Sequence, residues 1–248
     1  MSGHSKWHSI KHKKAREDAK RGKIFTRLIK EVTIAARLGG GDPDHNPRLR
    51  LAMDRAKAQN MPASNIDRAI KKGTGELPGQ VYEEVLYEGY GPGGAALLIE
   101  VVTDNRNRTV SEIRHLLAKH NGHLGETGSV AWMFDKKGCL RVPEAEAKED
   151  ELLDIIVEQG AEDMSRQEGH FEIITEVTNF HAVGQALEDN GVPVASSELV
   201  WIPRTSVPVT GKKAQQLLHL LEMLEDHDDV QNIHANFDID EAELEGLV

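Results

Sequence analysis

The 248-residue sequence is short of cysteine, of aromatic residues and of long apolar runs. Its single cysteine, Cys139, excludes an intramolecular disulfide and any zinc site built from several cysteines. No stretch approaches the roughly 18 consecutive apolar residues of a membrane-spanning helix. The start, MSGHSKWHSIKHKK, lacks the apolar region of a signal peptide. We therefore expect a cytoplasmic protein with no membrane segment.

Aromatic residues make up only 4% of the chain, whereas 39% of the residues are apolar. With glycine added, the apolar share is ordinary for a folded globular protein, so wholesale disorder is excluded. The cores must be built from Leu, Ile, Val and Ala. Small aliphatic domains fit this composition better than one large aromatic core, and the length allows two or three of them.

The net charge of −11 hides a strong asymmetry along the chain. Residues 1–72 carry 18 Lys and Arg against 7 Asp and Glu, whereas residues 73–248 carry 12 against 34. The first 30 residues alone hold ten cations and two acids. This separation of charge predicts a basic region for a polyanion and an acidic remainder that phosphates repel.

The N-terminal part is predicted to be a basic arm, residues 1–22, followed by a helical domain, residues 23–76. In the arm only Trp7 and Ile10 are large and apolar, so it is either flexible or a helix that orders on its partner. Apolar spacing predicts a helix over 23–38, ended by three glycines. A second helix is predicted to open at Asn46-Pro47 and a third at Ser64.

The remaining chain alternates strand and helix patterns. We predict a middle α/β domain from residues 77–135 with 205–240, interrupted by an inserted βαββαβ domain at 136–204, and an acidic tail at 241–248. A hairpin is expected from strands 129–134 and 138–142, across Lys136-Lys137-Gly138. The predicted fold class is α+β: a small three-helix domain followed by two ferredoxin-like α/β sandwich domains, the third domain inserted in the second.

Familiar catalytic and cofactor motifs are missing from the sequence. His4, His8 and His12 have helical spacing, but neighbouring lysines would repel a metal ion, so no metal site is predicted. The turn from Gly89 to Gly94 lacks the Lys-Ser/Thr of a phosphate loop, and a strand follows it. Cys139 is expected to be structural. We expect no catalytic residue, no cofactor and no enzymatic activity.

Basic residues are the candidate ligands for nucleic acid. Arg106 and Arg108 stand at a predicted strand-to-helix junction, where they oppose the helix dipole. Two interpretations stay open: they contact nucleic acid, or they pair with Asp104 and Glu112. Tyr87 and Tyr90 are equally open between core and recognition surface. The candidate contacts are Lys6, Trp7, His8, Lys11, His12, Lys13, Lys14, Arg16, Lys20, Arg21, Lys23, Arg27, Lys30, Arg106 and Arg108.

Several sequence blocks resemble the signature blocks of the YebC/PmpR family. They are GHSKW (3–7), KRGKIFTRLIKE (20–31), GGGDPDHNPRLR (39–50), YEGYGPGG (87–94), DNRNRT (104–109) and GSVAWMF (128–134). The resemblance runs from Gly3 to about Asp229 and implies a cytoplasmic protein with a helical domain and two α/β domains. Members are described as DNA-binding transcriptional regulators and as ribosome-associated factors that ease translation of proline-rich stretches. A mitochondrial relative is a translational activator of cytochrome c oxidase.

We predict a non-enzymatic, nucleic-acid-binding regulator of gene expression that acts through its basic N-terminal part. The partner is DNA or ribosomal or transfer RNA, with the ribosome as a further candidate. A flexible Lys/His/Trp arm suits irregular RNA slightly better than duplex DNA. The alternative is a protein-interaction adaptor whose acidic α/β domains bind a basic partner. A monomer is favoured.

Overall fold

The computed structural model describes residues 17–167, 169–240 and 243, with side chains from Gly22 onward. The described chain forms two compact units. The first contains the residues up to Trp132 and those from Thr205 on, and the second is Met133–Arg204. In chain order the elements are α1 (Glu17–Gly39), α2 (Pro47–Ala58), α3 (Ala63–Gly73), β1 (Glu83–Tyr90), β2 (Ala96–Thr103), α4 (Arg106–Lys119), β3 (His123–Leu124), β4 (Phe134–Pro143), α5 (Glu149–Glu158), β5 (Ala161–Gln167), β6 (His170–Glu176), α6 (Phe180–Asp189), β7 (Ser196–Pro203), β8 (Val207–Pro208), α7 (Gly211–Glu225), β9 (Val230–Ala235) and β10 (Phe237–Asp238).

Helices α1, α2 and α3 pack around a small aliphatic core. The side chain of Asn46 accepts a hydrogen bond from the Leu49 N–H at 3.1 Å, and Pro47 occupies the first helical position, as the sequence predicts. Helix α1 includes Glu17, so residues 17–22, which the sequence assigns to the arm, form the N-terminal part of this helix. The core is formed by Val32, Ala35, Ala36, Leu49, Ala52, Ala56, Met61, Ile66 and Ala69.

The first unit also contains a four-stranded antiparallel sheet in the order β3-β1-β2-β9. Alternate residues of β2, Leu97, Ile99 and Val101, are buried in one core with residues of α4 and α7. This side of the sheet is therefore a helix-covered sandwich face, as the period-2 pattern of the strand requires. The short strands β8 and β10 pair in parallel beside it.

The glycine-rich segment between β1 and β2 is a structural turn. Gly93 has φ +81°, and a Cβ there would lie 2.9 Å from Val209 Cγ1, so this position favours glycine on two grounds. The residues that follow enter strand β2 instead of a helix. The segment contains only a three-residue 3₁₀ turn, Pro92–Gly94, which is too short to present a helix N-terminus to a phosphate group.

The second unit is a split βαββαβ sandwich. Its antiparallel sheet has the order β5-β6-β4-β7, with the first and third strands adjacent at the centre. Helices α5 and α6 bury Leu152, Ile156, Val183 and Leu187 in one core with residues of β4 and β6. This is the ferredoxin-like arrangement.

The predicted hairpin across Lys136-Lys137-Gly138 is wrong. Strand β4 runs without a break from Phe134 to Pro143, paired with β6 on one side and β7 on the other. Gly138 lies within the strand, where its missing side chain allows a close approach of its neighbours. A Cβ would lie 2.3 Å from Phe180 Cδ2 and 2.5 Å from Thr175 Oγ1. Residues 131–133 form a short 3₁₀ turn where a strand was expected.

The α+β fold class, with an N-terminal helical region followed by sheet domains, is confirmed. Across the described ranges 17–167 and 169–240, no helix combines the length and apolar character that crossing a bilayer requires.

Candidate nucleic-acid interface

The predicted N-terminal contacts fall into three groups. Lys6, Trp7, His8, Lys11, His12, Lys13, Lys14 and Arg16 lie outside the described residues, as do the three histidines excluded as metal ligands. Lys20 and Arg21 lie in α1 by their backbone, and their side chains are outside the description. Lys23, Arg27 and Lys30 are described in full and are discussed next.

Lys23, Arg27 and Lys30 contact the end of α7 and the turn that follows it. Lys23 Nζ lies 3.1 Å from Asp226 Oδ1, and an Arg27 Nη2 hydrogen donates to the Glu225 carbonyl. The C-terminal carbonyls of a helix carry partial negative charge and attract cations. These side chains thus hold α1 against α7.

Lys30 is buried, with 6% of its surface exposed, and its ammonium group is saturated by oxygen atoms. Its Nζ donates to Asp229 Oδ1 at 2.7 Å, to the Asp228 carbonyl at 2.9 Å and to the Val102 carbonyl at 3.3 Å. A buried ammonium group with three acceptors is not available to a phosphate. Lys30 therefore contributes to the packing of α1 against the first sheet.

Asp229 is the acceptor on which four side chains converge. Besides Lys30, Oδ2 accepts from Arg108 Nη2 at 2.7 Å, from Thr109 Oγ1 at 2.7 Å and from Thr103 Oγ1 at 3.1 Å. Burial by itself would raise the pKa of Asp229, but the donors from Lys30, Thr109 and Arg108 outweigh it and hold this pKa far below its usual value. The carboxylate is ionised at neutral pH.

The structure separates Arg106 from Arg108. Arg108 pairs with Asp104 at 3.1 Å and lies 3.8 Å from Glu112, as the second interpretation proposed, but it also pairs with Asp229, which the sequence did not indicate. Arg106 is exposed and makes no ion pair within the described chain. Arg106 is thus the better candidate for nucleic acid.

Glu112, His227 and Asp229 bring three potential ligand atoms within 4.8 Å of one another. Hydrogen bonds already engage these atoms. The Asp229 N–H donates to His227 Nδ1 at 3.1 Å, and His227 Nε2 lies 3.0 Å from Glu112 Oε2. Because Lys30 and Arg108 also occupy the Asp229 carboxylate, a divalent cation would meet two positive charges there. The cluster is a poor fit for a metal ion.

Other exposed cations were not singled out from the sequence. Arg68 and Lys71 on α3 and Arg114 on α4 are exposed and have no ion-pair partner within the described chain. The i, i+3 spacing of Arg68 and Lys71 places both on one helix face and is visible in the sequence. Burial raises the pKa of Tyr87, and the side-chain hydrogen bond with Arg106 and the positive charges of Arg106 and Arg114 oppose this rise.

The two tyrosines and the cysteine have structural surroundings. Tyr87 is buried, and Tyr90 is half-buried, stacked on His123 at 5.3 Å between ring centroids, with its hydroxyl donating to the Ser129 carbonyl. Cys139 is buried in β4, and burial raises the pKa of its thiol to about 12. Its thiol is therefore protonated at neutral pH.

Trp132 is the aromatic residue that the sequence analysis missed. It is 63% exposed at the end of a loop, residues 125–132. The sequence predicts a strand over residues 129–134 and assigns no role to Trp132. The exposed position became visible only in the fold.

Comparison with known proteins gives matches over almost the whole chain. The family model described as TACO1/YebC second and third domain matches residues 82–237, and that of the TACO1/YebC protein N-terminal domain matches residues 5–76. A probable transcriptional regulatory protein of Desulfotalea psychrophila is 59% identical over 248 residues, covering 100% of this chain and 99% of that protein. One from Geobacter sulfurreducens is 55% identical, with 100% of both chains covered.

A solved structure has the same fold. The crystal structure of a conserved hypothetical protein from Aquifex aeolicus superposes with a TM-score of 0.84 and 48% sequence identity, covering 92% of this chain and 94% of that one. The relatives thus match both the helical region and the two sheet domains. This chain belongs to the TACO1/YebC family.

Proposed function

We propose that this chain is a non-enzymatic regulator of gene expression that binds nucleic acid through the basic face of its first unit. The observation that carries the proposal is that some of the described cations of that unit make internal contacts, whereas others are exposed and make no ion pair. Lys23, Arg27, Lys30 and Arg108 are used in holding the unit together. Other exposed cations of that unit make no ion pair within the described chain, and among them Arg68, Lys71, Arg106 and Arg114 are the proposed phosphate contacts. Lys119, Lys212 and Lys213 are further exposed cations of the unit without an ion pair there.

The names of the relatives favour a role in transcription, since they are called probable transcriptional regulatory proteins. The resemblance stated above also includes ribosome-associated translation factors. We favour structured RNA, ribosomal or transfer, over duplex DNA. Helix α3 has only 11 residues and lacks a side-chain cap at its N-terminus, so it is a poor candidate for insertion into a major groove.

Crosslinking in cells with sequencing of the bound nucleic acid tests this proposal. Recovery of ribosomal or transfer RNA supports a translational role, and enrichment of promoter DNA supports a transcriptional one. Recovery of no nucleic acid above a non-crosslinked control contradicts the proposal.

A paired set of variants tests the interface itself. We expect the double variant Arg68→Ala/Lys71→Ala to weaken binding at fixed salt and to flatten its salt dependence, because each lost phosphate contact removes one released counterion. Lys148→Ala is the matched control, since Lys148 is exposed in the acidic second unit and pairs with Glu151. Equal affinity of the double variant and the control would place the interface elsewhere.

A second candidate function, a protein-interaction adaptor, is favoured by the exposed face of α5. Leu153 and Val157 are 37% and 63% exposed there. Asp150, Asp154 and Glu158 run along the same helix at intervals of four residues. Like charges at this spacing destabilise a helix, and a basic partner would relieve the repulsion. The second unit as a whole carries 16 acidic and 6 basic residues.

The adaptor function is tested by a photo-crosslinking residue placed at Val157, with the same residue at exposed Gln185 of α6 as control. A protein crosslinked only from position 157, and lost on Asp150→Lys/Asp154→Lys, supports it. Equal crosslinking from both positions contradicts it.

A further inference from the structure

The loop formed by residues 125–132 is held from beneath by one buried carboxylate. Glu88, 4% exposed on β1, accepts hydrogen bonds from the backbone N–H groups of Gly128 at 2.6 Å, Val130 at 2.7 Å and Ala131 at 2.8 Å. Burial alone would raise the pKa of Glu88, but these three donors together lower it. The carboxylate stays ionised and fixes the backbone of the loop.

This fixed loop presents Trp132 to solvent. The indole is 63% exposed, while its Nε1–H already donates to the Ser129 carbonyl at 3.1 Å. The same carbonyl accepts from the Tyr90 hydroxyl at 3.1 Å. The polar atom of the ring is therefore satisfied by the protein, and the part left for a partner is the apolar face.

We infer that Trp132 is a stacking platform for an unpaired nucleobase, an inference that rests on the proposed function. A nucleobase can stack on one accessible face of an aromatic ring, and this contact does not require apolar residues around the ring. Every base has such a face, so stacking tolerates any base. A tryptophan that is a hot spot of a protein–protein interface is, by contrast, normally surrounded by a ring of contacts that exclude water. The exposed loop residues before Trp132 are Glu126, Thr127 and Gly128, whereas Val130 is buried and Ala131 half-buried. The loop itself therefore offers little apolar surface for such a ring.

Rigidity of the loop adds to the argument. A flexible exposed indole would lose conformational freedom when a base stacked on it, which weakens binding. Three backbone hydrogen bonds to one carboxylate, and the indole bond to the loop's own carbonyl, reduce this loss in advance. Glu88 is therefore a positioning residue for the indole.

The inference is tested by binding of the full-length protein to a single-stranded RNA oligonucleotide and to a matched strand that carries abasic sites. We expect Trp132→Ala to lower affinity for the intact strand by about 5- to 150-fold, the range for loss of one stacked base. Trp132→Phe should retain part of the affinity. The difference between wild type and Trp132→Ala should disappear on the abasic strand, and the salt dependence should be unchanged, because stacking releases no counterions.

Leu38→Ala is the control, since Leu38 is also a large apolar side chain of the first unit, 61% exposed. We expect it to bind like wild type. Glu88→Gln should weaken binding to the intact strand while leaving the abasic strand unaffected.

Two failures are distinguishable. If wild type binds both strands and Trp132→Ala binds as well as wild type, or loses equal affinity on both, stacking by Trp132 is overturned and the proposed function stands. If wild type binds duplex DNA but neither single strand, stacking by Trp132 is likewise overturned and the proposed function stands. If wild type binds neither strand nor duplex DNA, the proposed function itself fails and the inference fails with it.

Discussion

Asp229 joins residues that are far apart in the sequence. It receives Lys30 from α1, Arg108 and Thr109 from α4 and Thr103 from β2, and it stands at the start of β9. A buried ion pair of this kind stabilises a protein little more than a well-packed apolar pair would. Removing one partner is nevertheless strongly destabilising, because the other charge is left buried without a partner. Its effect is therefore to fix how the helical domain meets the first sheet.

We expect Asp229→Asn to destabilise the protein by about 3–5 kcal/mol at pH 7, because Lys30 is left buried and unpaired. The pKa of Asp229 is lowered in the folded state, so its stabilisation is complete above the unfolded value of about 4. It is lost as the pH falls through the folded value. Urea unfolding at several pH values should show the gap between wild type and variant narrowing below about pH 4.

Asp226→Asn is the control for this prediction. Asp226 pairs with Lys23 in solvent, with side chains 63% and 43% exposed, so its loss should cost about 1 kcal/mol or less. If the difference in free energy of unfolding between wild type and Asp229→Asn stays constant down to pH 2, the ionisation of Asp229 does not contribute to stability.

Cys139 gives a residue-scale prediction about reactivity. Because burial raises its thiol pKa to about 12, we expect almost no reaction with a water-soluble thiol reagent at pH 8 in the native protein. One thiol per chain should react on addition of denaturant. Rapid native labelling would contradict the buried position in β4.

At the scale of elements, strand β4 shows how one glycine permits a packing arrangement. Gly138 allows the Phe180 ring of α6 to lie against the central strand, where a methyl group would lie 2.3 Å from the ring. A sequence pattern of Lys-Lys-Gly favours a turn, because glycine is common there. The pairing with two neighbouring strands decides otherwise.

We expect Gly138→Ala to destabilise the second unit by about 1–3 kcal/mol, since neither Phe180 nor the backbone can move freely. Gly184→Ala in α6 is the matched control: its Cβ would lie 3.4 Å from Leu140 Cδ2, an ordinary contact, and alanine favours the helix. Thermal unfolding should show a lower midpoint for Gly138→Ala and an equal or higher one for Gly184→Ala.

At the scale of the whole molecule, the fold separates two kinds of cation among the described residues of the first unit. Lys23, Arg27, Lys30 and Arg108 contact α7, the turn after it or Asp229, whereas exposed residues such as Arg68, Lys71 and Arg114 make no ion pair within the described chain. Counting charges along the chain overstates the number that can meet phosphates.

The salt dependence of binding measures the number of phosphate contacts. With about six contacts, shared between the cations of residues 1–21 and the exposed cations of the first unit that make no ion pair, the slope of log K against log salt should be about −5 on duplex DNA and about −4 on single strands. Reversing the charges of Lys11, Lys13 and Lys14 together should remove about two to three units of slope. A slope near zero would favour the adaptor function.

Arg106 and Arg108 provide a contrast within one helical turn. Arg106→Ala should flatten the slope by about 0.9 on duplex DNA or 0.7 on a single strand, with little change in stability. Arg108→Ala should leave the slope unchanged and lower stability, since Arg108 pairs with Asp229. Salt titrations and urea unfolding of both variants check this, and the reverse pattern would contradict the assignment of roles.

The sequence by itself determined the helices of the N-terminal domain, the α+β class and the separation of charge. Apolar periodicity, the Asn46-Pro47 cap and the distribution of Lys and Arg are properties of neighbouring residues, so they are visible along the chain. The same local information placed a false hairpin at Gly138, because a glycine in a turn and a glycine under an aromatic ring look alike in one dimension.

Only the tertiary structure decided which candidate residues are free. Lys30 and Asp229 are 199 positions apart, and nothing local to Lys30 distinguishes it from a cation that faces solvent. Trp132 is equally hidden, because an aromatic residue in an apolar block is normally core. Its exposure depends on Glu88 holding the loop from another strand. Partners and exposure are relations between distant parts of the chain, and folding alone brings those parts together.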